Sequence, residues 1–252
     1  MNNLKTFIDL VSGHRLPYTS QGRGRKNILF LHGLNTDLSI WKKVLPHISP
    51  RYKCWALQLP KYGQHKMVHY TQLIKDFTLE HGLKNPILVG QSLGAYLALQ
   101  LLQEGFQAEK LILIAPPLIP RLSRLKYWAK KAFGYFLSHA RPRELLQRVL
   151  HRISSADELL RLAPLQSWLH AGHDFLRKPF KIPSLKSPTL LIYGKQDPLV
   201  KLYQYPYEQL ELHKKKKILR PHLIVTLEKA SHYIPNEHPK TLAKIINRFI
   251  AL

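Results

Sequence analysis

A buried-strand pattern runs directly into a glycine-flanked serine and then into a helical pattern, which restricts the folds open to this chain. The apolar run Ile87–Val89 is followed by Gly90-Gln91-Ser92-Leu93-Gly94, and an apolar helical pattern continues to Glu104. A serine on such a tight strand-to-helix turn has strained backbone dihedral angles and an exposed Oγ. The helix N-terminus also directs backbone N–H groups at any anion that forms there. The pattern predicts a nucleophile at Ser92, and the simpler alternative is an ordinary helix cap.

Strand and helix patterns alternate on both sides of this turn, which implies parallel strand pairing with helices on both faces of the sheet. From Arg121 to Lys186, by contrast, the apolar periodicity is helical throughout. We predict a single α/β domain over residues 1–252, with a mostly parallel central sheet and a helical insertion at 118–186. The strands are predicted at 6–11, 15–19, 27–31, 52–57, 87–89, 111–115, 189–193 and 223–227, and the helices outside the insertion at 37–47, 70–82, 93–104, 207–213 and 239–250.

The chain is strongly basic, with 39 Lys or Arg against 15 Asp or Glu and a net charge of +24 over 252 residues. This charge favours acidic partners or a solvated basic surface. The sequence has no zinc-finger spacing, P-loop or RNP-like aromatic motif, so nucleic acid is not predicted as a partner. A hydrophobic content of 45% argues against a disordered chain. The single cysteine, Cys54, excludes an intramolecular disulfide scaffold.

The N-terminal apolar stretch is short and interrupted by Asp9, which makes it a poor secretory signal. No stretch reaches the roughly 18 to 20 apolar residues that a membrane-spanning helix needs. We therefore expect a soluble, cytoplasmic protein.

A serine nucleophile needs a base, and the base needs a group that orients it. Among 14 histidines, His232 follows the last predicted strand, where the carboxyl edge of the sheet would bring it towards Ser92. Asp197 follows the strand at 189–193, and its alternative is a turn residue before Pro198. The loop after the strand at 111–115 contains no acidic residue. The sequence therefore predicts Ser92 as nucleophile, His232 as base and Asp197 as the acid that orients it.

The chain resembles the α/β-hydrolase superfamily, in particular its lid-bearing serine esterase group. Ser92, Asp197 and His232 occur in the family's order of nucleophile, acid and histidine. The resemblance implies that the insertion at 118–186 is a lid over the active site. It also implies hydrolysis of carboxylic esters or thioesters through an acyl-enzyme on Ser92, with no metal or organic cofactor. Dehalogenases and epoxide hydrolases of similar fold have an aspartate where this chain has Ser92.

Two further segments carry the resemblance. Leu31-His32-Gly33-Leu34 is similar to the family's HG turn, which implies that the backbone N–H groups of Leu34 and Leu93 form the oxyanion hole and that His32 is a structural turn residue. The segment from Gln58 to His65 resembles the family's D-x-P-G-x-G-x-S loop, but glutamine replaces its aspartate and Lys61 its glycine. Because of this difference, the resemblance does not predict the conformation of that loop.

The insertion holds 14 Lys or Arg and 4 Asp or Glu, a surplus of ten positive charges over 69 residues. A basic lid could dock an acidic acyl-carrier protein, as in the carrier-protein methyl ester esterases of similar architecture. It could instead lie on an anionic membrane surface, or its charge could be incidental, with a small-molecule acyl ester as substrate. Two alternatives to an esterase also stay open, namely a non-catalytic hydrolase-fold binding protein and a C–C hydrolase or lyase with the same triad.

Overall fold

Short apolar runs form the strands of an eight-stranded sheet in the described part of the chain. The computed structural model describes residues 6–11, 13–34, 36–60, 67–116, 187–197 and 222–252. The predicted lid at 118–186 and the helix predicted at 207–213 lie outside the described residues, and so do Lys61 and His65. All described residues belong to one compact unit.

The strands follow the sequence prediction, with ends that differ by two residues at most. They are β1 (Thr6–Val11), β2 (His14–Gln21), β3 (Lys26–Leu31), β4 (Tyr52–Leu57), β5 (Ile87–Gln91), β6 (Leu111–Ile114), β7 (Thr189–Gly194) and β8 (His222–Leu227). Their order across the sheet is β1-β2-β4-β3-β5-β6-β7-β8. The pairs β1–β2 and β2–β4 are antiparallel, and every other neighbouring pair is parallel. The predicted α/β fold with a mostly parallel sheet is confirmed.

Four α-helices lie among the described residues. They are α1 (Met67–Glu80), α2 (Leu93–Gln103), α3 (Ile234–Glu237) and α4 (Pro239–Ala251). None of them is long and apolar enough to cross a membrane. Helices α1, α2 and α4 match the prediction, whereas the four-residue α3 was not predicted.

The helix predicted over 37–47 is two short 3-10 helices, Leu38–Trp41 and Leu45–His47. Asp37 caps the first of them by accepting a hydrogen bond from the N–H of Ser39 at 2.8 Å. Pro46 stands at the start of the second helix. Because proline has no N–H and its ring clashes with the preceding turn, a continuous α-helix cannot pass through this segment.

The central strands are buried on both faces, and alternate residues face opposite helices. Ile28 and Phe30 of β3 share one apolar cluster with Leu242 and Ile246 of α4. The opposite face packs on α1, where the rings of Trp55 and Phe77 lie 6.1 Å apart. Burial on both faces explains why these strands are continuous apolar runs.

Because β3, β5, β7 and β8 run parallel to one another, they all end at the same edge of the sheet. The predicted site residues follow these ends.

Candidate active site

Ser92 occupies a strained turn between β5 and α2. Its φ is 50° and its ψ is −112°, a conformation that residues other than glycine rarely adopt. Such strain costs on the order of 1–3 kcal/mol and persists only where the surroundings enforce it. The N–H of Ser92 donates to the carbonyl oxygen of Ile114 on β6 at 2.8 Å, which anchors the turn. The Ser92 side chain makes no capping hydrogen bond to α2, so the hydroxyl does not serve as an ordinary helix cap.

The two glycines of the turn are required by close backbone approach. A Cβ at Gly90 would overlap the backbone of Gly94, and a Cβ at Gly94 would overlap the carbonyl oxygen of Leu31. The N-terminus of α2 is thereby held directly against the end of β3. Strand, turn and helix can meet at this spacing only because both positions lack a side chain.

The two N–H groups predicted for the oxyanion hole belong to the two segments that meet here, the start of α2 and the turn after β3. Leu93 is the first residue of α2, and Leu34 follows the His32–Gly33 turn after β3. In the described part of the chain, neither N–H donates to a protein acceptor. Their assignment to the oxyanion hole stays a prediction.

His32 is buried and holds the turn together through both ring nitrogens. Nδ1 donates to the carbonyl oxygen of Gly33 at 2.9 Å, and Nε2 accepts from the N–H of Leu59 at 3.0 Å. These two partners require the neutral tautomer with the proton on Nδ1. Burial lowers the pKa of His32, which also favours the neutral ring. These contacts support the sequence-based assignment of His32 as a structural turn residue.

Gln58, the residue that departs from the family pattern, makes hydrogen bonds on both sides of its amide. Its Oε1 accepts from the N–H of Leu38 at 2.8 Å, and its Nε2 donates to the carbonyl oxygen of Leu59 at 3.0 Å. The amide therefore connects the end of β4 to the first 3-10 helix. These two hydrogen bonds hold the segment up to Pro60 in place without an aspartate at this position.

Asp197 and His232 form a buried hydrogen-bonded pair. The distance from His232 Nδ1 to Asp197 Oδ2 is 2.7 Å, and the side chains are 7% and 1% exposed. The loop after β7 is attached to the loop after β8, since the N–H of Gln196 donates to the carbonyl oxygen of Ala230 at 3.0 Å. A Cβ at Gly194 would overlap that same carbonyl. A carboxylate bonded to Nδ1 leaves Nε2 as the nitrogen that can accept a proton.

The residue beside Ser92 contacts the same histidine. Gln91 is buried, and its Nε2 donates to the backbone carbonyl oxygen of His232 at 3.1 Å. The structure therefore brings Asp197 and His232 together directly, and it ties the turn that carries Ser92 to the backbone of His232. Sequence reasoning did not identify Gln91, because the pattern G-x-S-x-G treats its position as variable.

In the same described ranges, no group of three or more His, Cys, Asp or Glu side chains is arranged to bind a metal ion. Ser92, Asp197 and His232 each follow a parallel strand that ends at this edge of the sheet.

Comparison with known proteins places this geometry in context. An uncharacterized hydrolase of Bacillus subtilis is 26% identical over 258 residues, covering 91% of this chain and 92% of its own length. A pimeloyl-[acyl-carrier protein] methyl ester esterase of Vibrio vulnificus is 31% identical over 103 residues, covering 40% of each protein. Further curated relatives are also matched over only 30 to 40% of their length.

Among solved structures, an epoxide hydrolase of Vigna radiata superposes with a TM-score of 0.74 over 100% of this chain and 99% of its own. Its sequence identity is 16%, so the likeness concerns the fold alone. The family model described as the alpha/beta hydrolase family matches residues 28–245. That range contains the turn at Ser92, the buried Asp197–His232 pair, five of the eight strands in full and most of β3. The chain therefore belongs to the alpha/beta hydrolase family.

Proposed function

We propose that this protein is a serine hydrolase that cleaves carboxylic esters or thioesters through an acyl-enzyme on Ser92. The observation that carries the proposal is the buried hydrogen bond of 2.7 Å between His232 Nδ1 and Asp197 Oδ2. The pair lies at the sheet edge where the strained turn presents Ser92. Relatives named as hydrolase and as esterase support the reaction class.

The proposed mechanism assigns one task to each group. Ser92 Oγ attacks the carbonyl carbon of the ester while His232 Nε2 takes the hydroxyl proton. Asp197 keeps the proton of His232 on Nδ1 and stabilises the imidazolium that forms. The protonated His232 then delivers its proton to the leaving alcohol or thiol, which leaves an acyl group on Ser92.

A water molecule completes the cycle. His232 takes a proton from this water, the resulting hydroxide attacks the acyl carbon, and Ser92 leaves with the proton returned by His232. In both halves, the tetrahedral oxyanion accepts hydrogen bonds from the N–H groups of Leu34 and Leu93. One such donor contributes about 3 kcal/mol in the transition state.

Labelling with a fluorophosphonate, read by intact-protein mass, tests the proposal. We expect one adduct on the wild type and none on Ser92→Ala. The matched control, Ser39→Ala, removes an exposed serine of the first 3-10 helix and should be labelled like the wild type. Turnover of p-nitrophenyl esters then separates ester hydrolysis from C–C bond cleavage. A folded wild type without an adduct would overturn the proposal in favour of a non-catalytic binding protein.

A second candidate is an acyl-carrier-protein methyl ester esterase. The curated relatives from Vibrio vulnificus and two Pectobacterium strains bear that name, and the segment 118–186 has the surplus of positive charge that an acidic carrier would match. Salt separates the two candidates, because screening weakens the attraction between oppositely charged surfaces. Turnover of a carrier-bound methyl ester should decrease steeply with ionic strength, while turnover of a neutral p-nitrophenyl ester should change little. Equal salt dependence would contradict carrier docking.

A further inference from the structure

Gln91 is the last residue of β5, precedes Ser92 and is 1% exposed. Its Nε2 donates to the carbonyl oxygen of His232 at 3.1 Å across 141 positions of sequence. This hydrogen bond links the strand that carries the nucleophile to the loop that carries the histidine.

The other end of the same amide faces the HG turn. A Cβ at Gly33 would overlap Gln91 Oε1, so the amide oxygen lies directly against Gly33. Gly33 immediately precedes Leu34, whose N–H is one of the two proposed oxyanion donors. A single side chain therefore contacts the HG turn and the histidine loop, and its own backbone leads into Ser92.

The orientation of the amide is determined by its partners. If Oε1 and Nε2 exchanged places, an amide oxygen would face the carbonyl oxygen of His232, and both atoms would be acceptors. With Nε2 towards His232, Oε1 is buried and has no hydrogen-bond partner among the described residues. Leaving a buried acceptor unpaired costs about 1–3 kcal/mol. An apolar side chain would avoid this cost, so packing alone does not account for glutamine at position 91.

We propose that Gln91 is a positioning residue, which holds the backbone of His232 at the distance from Ser92 that proton transfer requires. The inference rests on the proposed function. Asp197 fixes the Nδ1 end of the imidazole, and Gln91 fixes the backbone from which the imidazole projects. Without the second hydrogen bond, the ring can pivot about its bond to Asp197 and move Nε2 away from Ser92 Oγ.

The expected kinetic effect is a loss of kcat with little change in KM. A misplacement of about 1 Å can cost on the order of 100-fold in rate, so a partial displacement should reduce kcat by roughly tenfold to 100-fold. KM should change little, because Gln91 is buried and its hydrogen bond positions His232 rather than the ester.

The test uses two substitutions of similar length. Gln91→Met removes the donor and keeps much of the volume. Gln91→Glu has no donor when ionised, but its protonated carboxyl can again donate to the carbonyl oxygen of His232. The matched control is Gln100→Met, which removes a glutamine on α2 whose Nε2 donates to Glu104 at 3.2 Å on the surface. Circular dichroism and thermal unfolding confirm that each variant is folded before kinetics are measured with a p-nitrophenyl ester.

The two variants should differ in their pH profiles. For Gln91→Met, the ratio of its kcat to that of the wild type should be low and independent of pH. For Gln91→Glu, the ratio should be low at alkaline pH and rise as the pH falls, because protonation restores the hydrogen bond. A purely structural role would change the unfolding temperature without producing this rise.

The outcomes separate the inference from the proposed function. A wild type that is labelled by fluorophosphonate and turns over ester, together with folded Gln91 variants of unchanged kcat, overturns the inference alone. A ratio for Gln91→Glu that stays as low as that of Gln91→Met at every pH also overturns it. A wild type without labelling or turnover overturns the proposed function, and the inference with it.

Discussion

His232 Nδ1 lies 2.7 Å from Asp197 Oδ2 although 35 positions of sequence separate the two residues. The pair is formed by two neighbouring parallel strands, β7 and β8, which end at the same edge of the sheet. Both side chains are buried, so water does not compete strongly for either partner. In the proposed mechanism, the carboxylate of Asp197 has the task of fixing the tautomer of His232.

The substitution Asp197→Asn tests that task. An amide at this position preserves the size of the side chain but can favour the wrong tautomer of His232, with the proton on Nε2. We expect kcat for a p-nitrophenyl ester to fall by about 10³- to 10⁴-fold, with a folded protein by circular dichroism. The matched control is Asp76→Asn on α1, which should leave kcat unchanged. Asp76 accepts a hydrogen bond from the amide of Gln72 at 2.7 Å on the surface. A loss of less than tenfold in Asp197→Asn would contradict the assignment.

The central strands could be predicted from sequence because strands such as β5, β6 and β7 are buried on both faces. Runs such as Leu111–Ile114 and Thr189–Gly194 are fully buried, and continuous apolar runs leave little doubt about where a strand lies. The positions of Asp197 and His232 then follow from topology, since both come directly after a parallel strand.

The features that could not be predicted depend on hydrogen bonds between residues far apart in the chain. Gln91 contacts His232 across 141 positions, and nothing in its neighbours in sequence indicates that partner. Gln58 departs from the family pattern, yet its amide bonds to both Leu38 and Leu59. Local periodicity describes burial, and it does not identify the partner of a buried polar group.

Gly94 provides a second prediction, about the packing of the turn. Because a Cβ at this position would overlap the carbonyl oxygen of Leu31, Gly94→Ala must push α2 away from β3. We expect the free energy of unfolding to fall by about 1–3 kcal/mol from overpacking, and fluorophosphonate labelling of Ser92 to slow. Urea denaturation and the labelling rate measure the two effects.

The control for Gly94→Ala is Gly13→Ala. A Cβ at Gly13 would meet no atom of the described residues within 4 Å, and its φ of 79° leaves backbone strain as the expected cost, about 1–2 kcal/mol. The labelling rate of Gly13→Ala should equal that of the wild type. If Gly94→Ala is labelled as fast as Gly13→Ala, the close approach of α2 to β3 is not needed to activate Ser92.

Cys54 provides a third prediction. The thiol is buried in β4, and burial raises its pKa to about 12. Because the thiolate is the reactive form, iodoacetamide at mildly alkaline pH should leave the native protein unmodified. After denaturation in guanidinium chloride, intact mass should show one adduct, since the chain has a single cysteine. Rapid modification of the native protein would contradict the burial of this strand.

The pKa of His32 leads to a fourth prediction, on the pH dependence of stability. Burial lowers this pKa below its ordinary value of 6.5, so below that pH the unfolded chain binds a proton that the native turn does not. By linkage, proton binding then favours the unfolded state. The contribution of His32 to stability is therefore complete above pH 6.5 and decreases as the pH falls towards the lowered pKa.

Urea denaturation of the wild type and of His32→Gln, measured from neutral pH into the acidic range, checks this effect. The variant is expected to be less stable at neutral pH, because the hydrogen bonds to Gly33 and Leu59 are lost. Its free energy of unfolding should nevertheless decrease less steeply with falling pH than that of the wild type. His47→Gln, at an exposed histidine, controls for the removal of a histidine as such. Parallel pH profiles for the wild type and His32→Gln would mean that the buried ring takes up its proton without opening the turn.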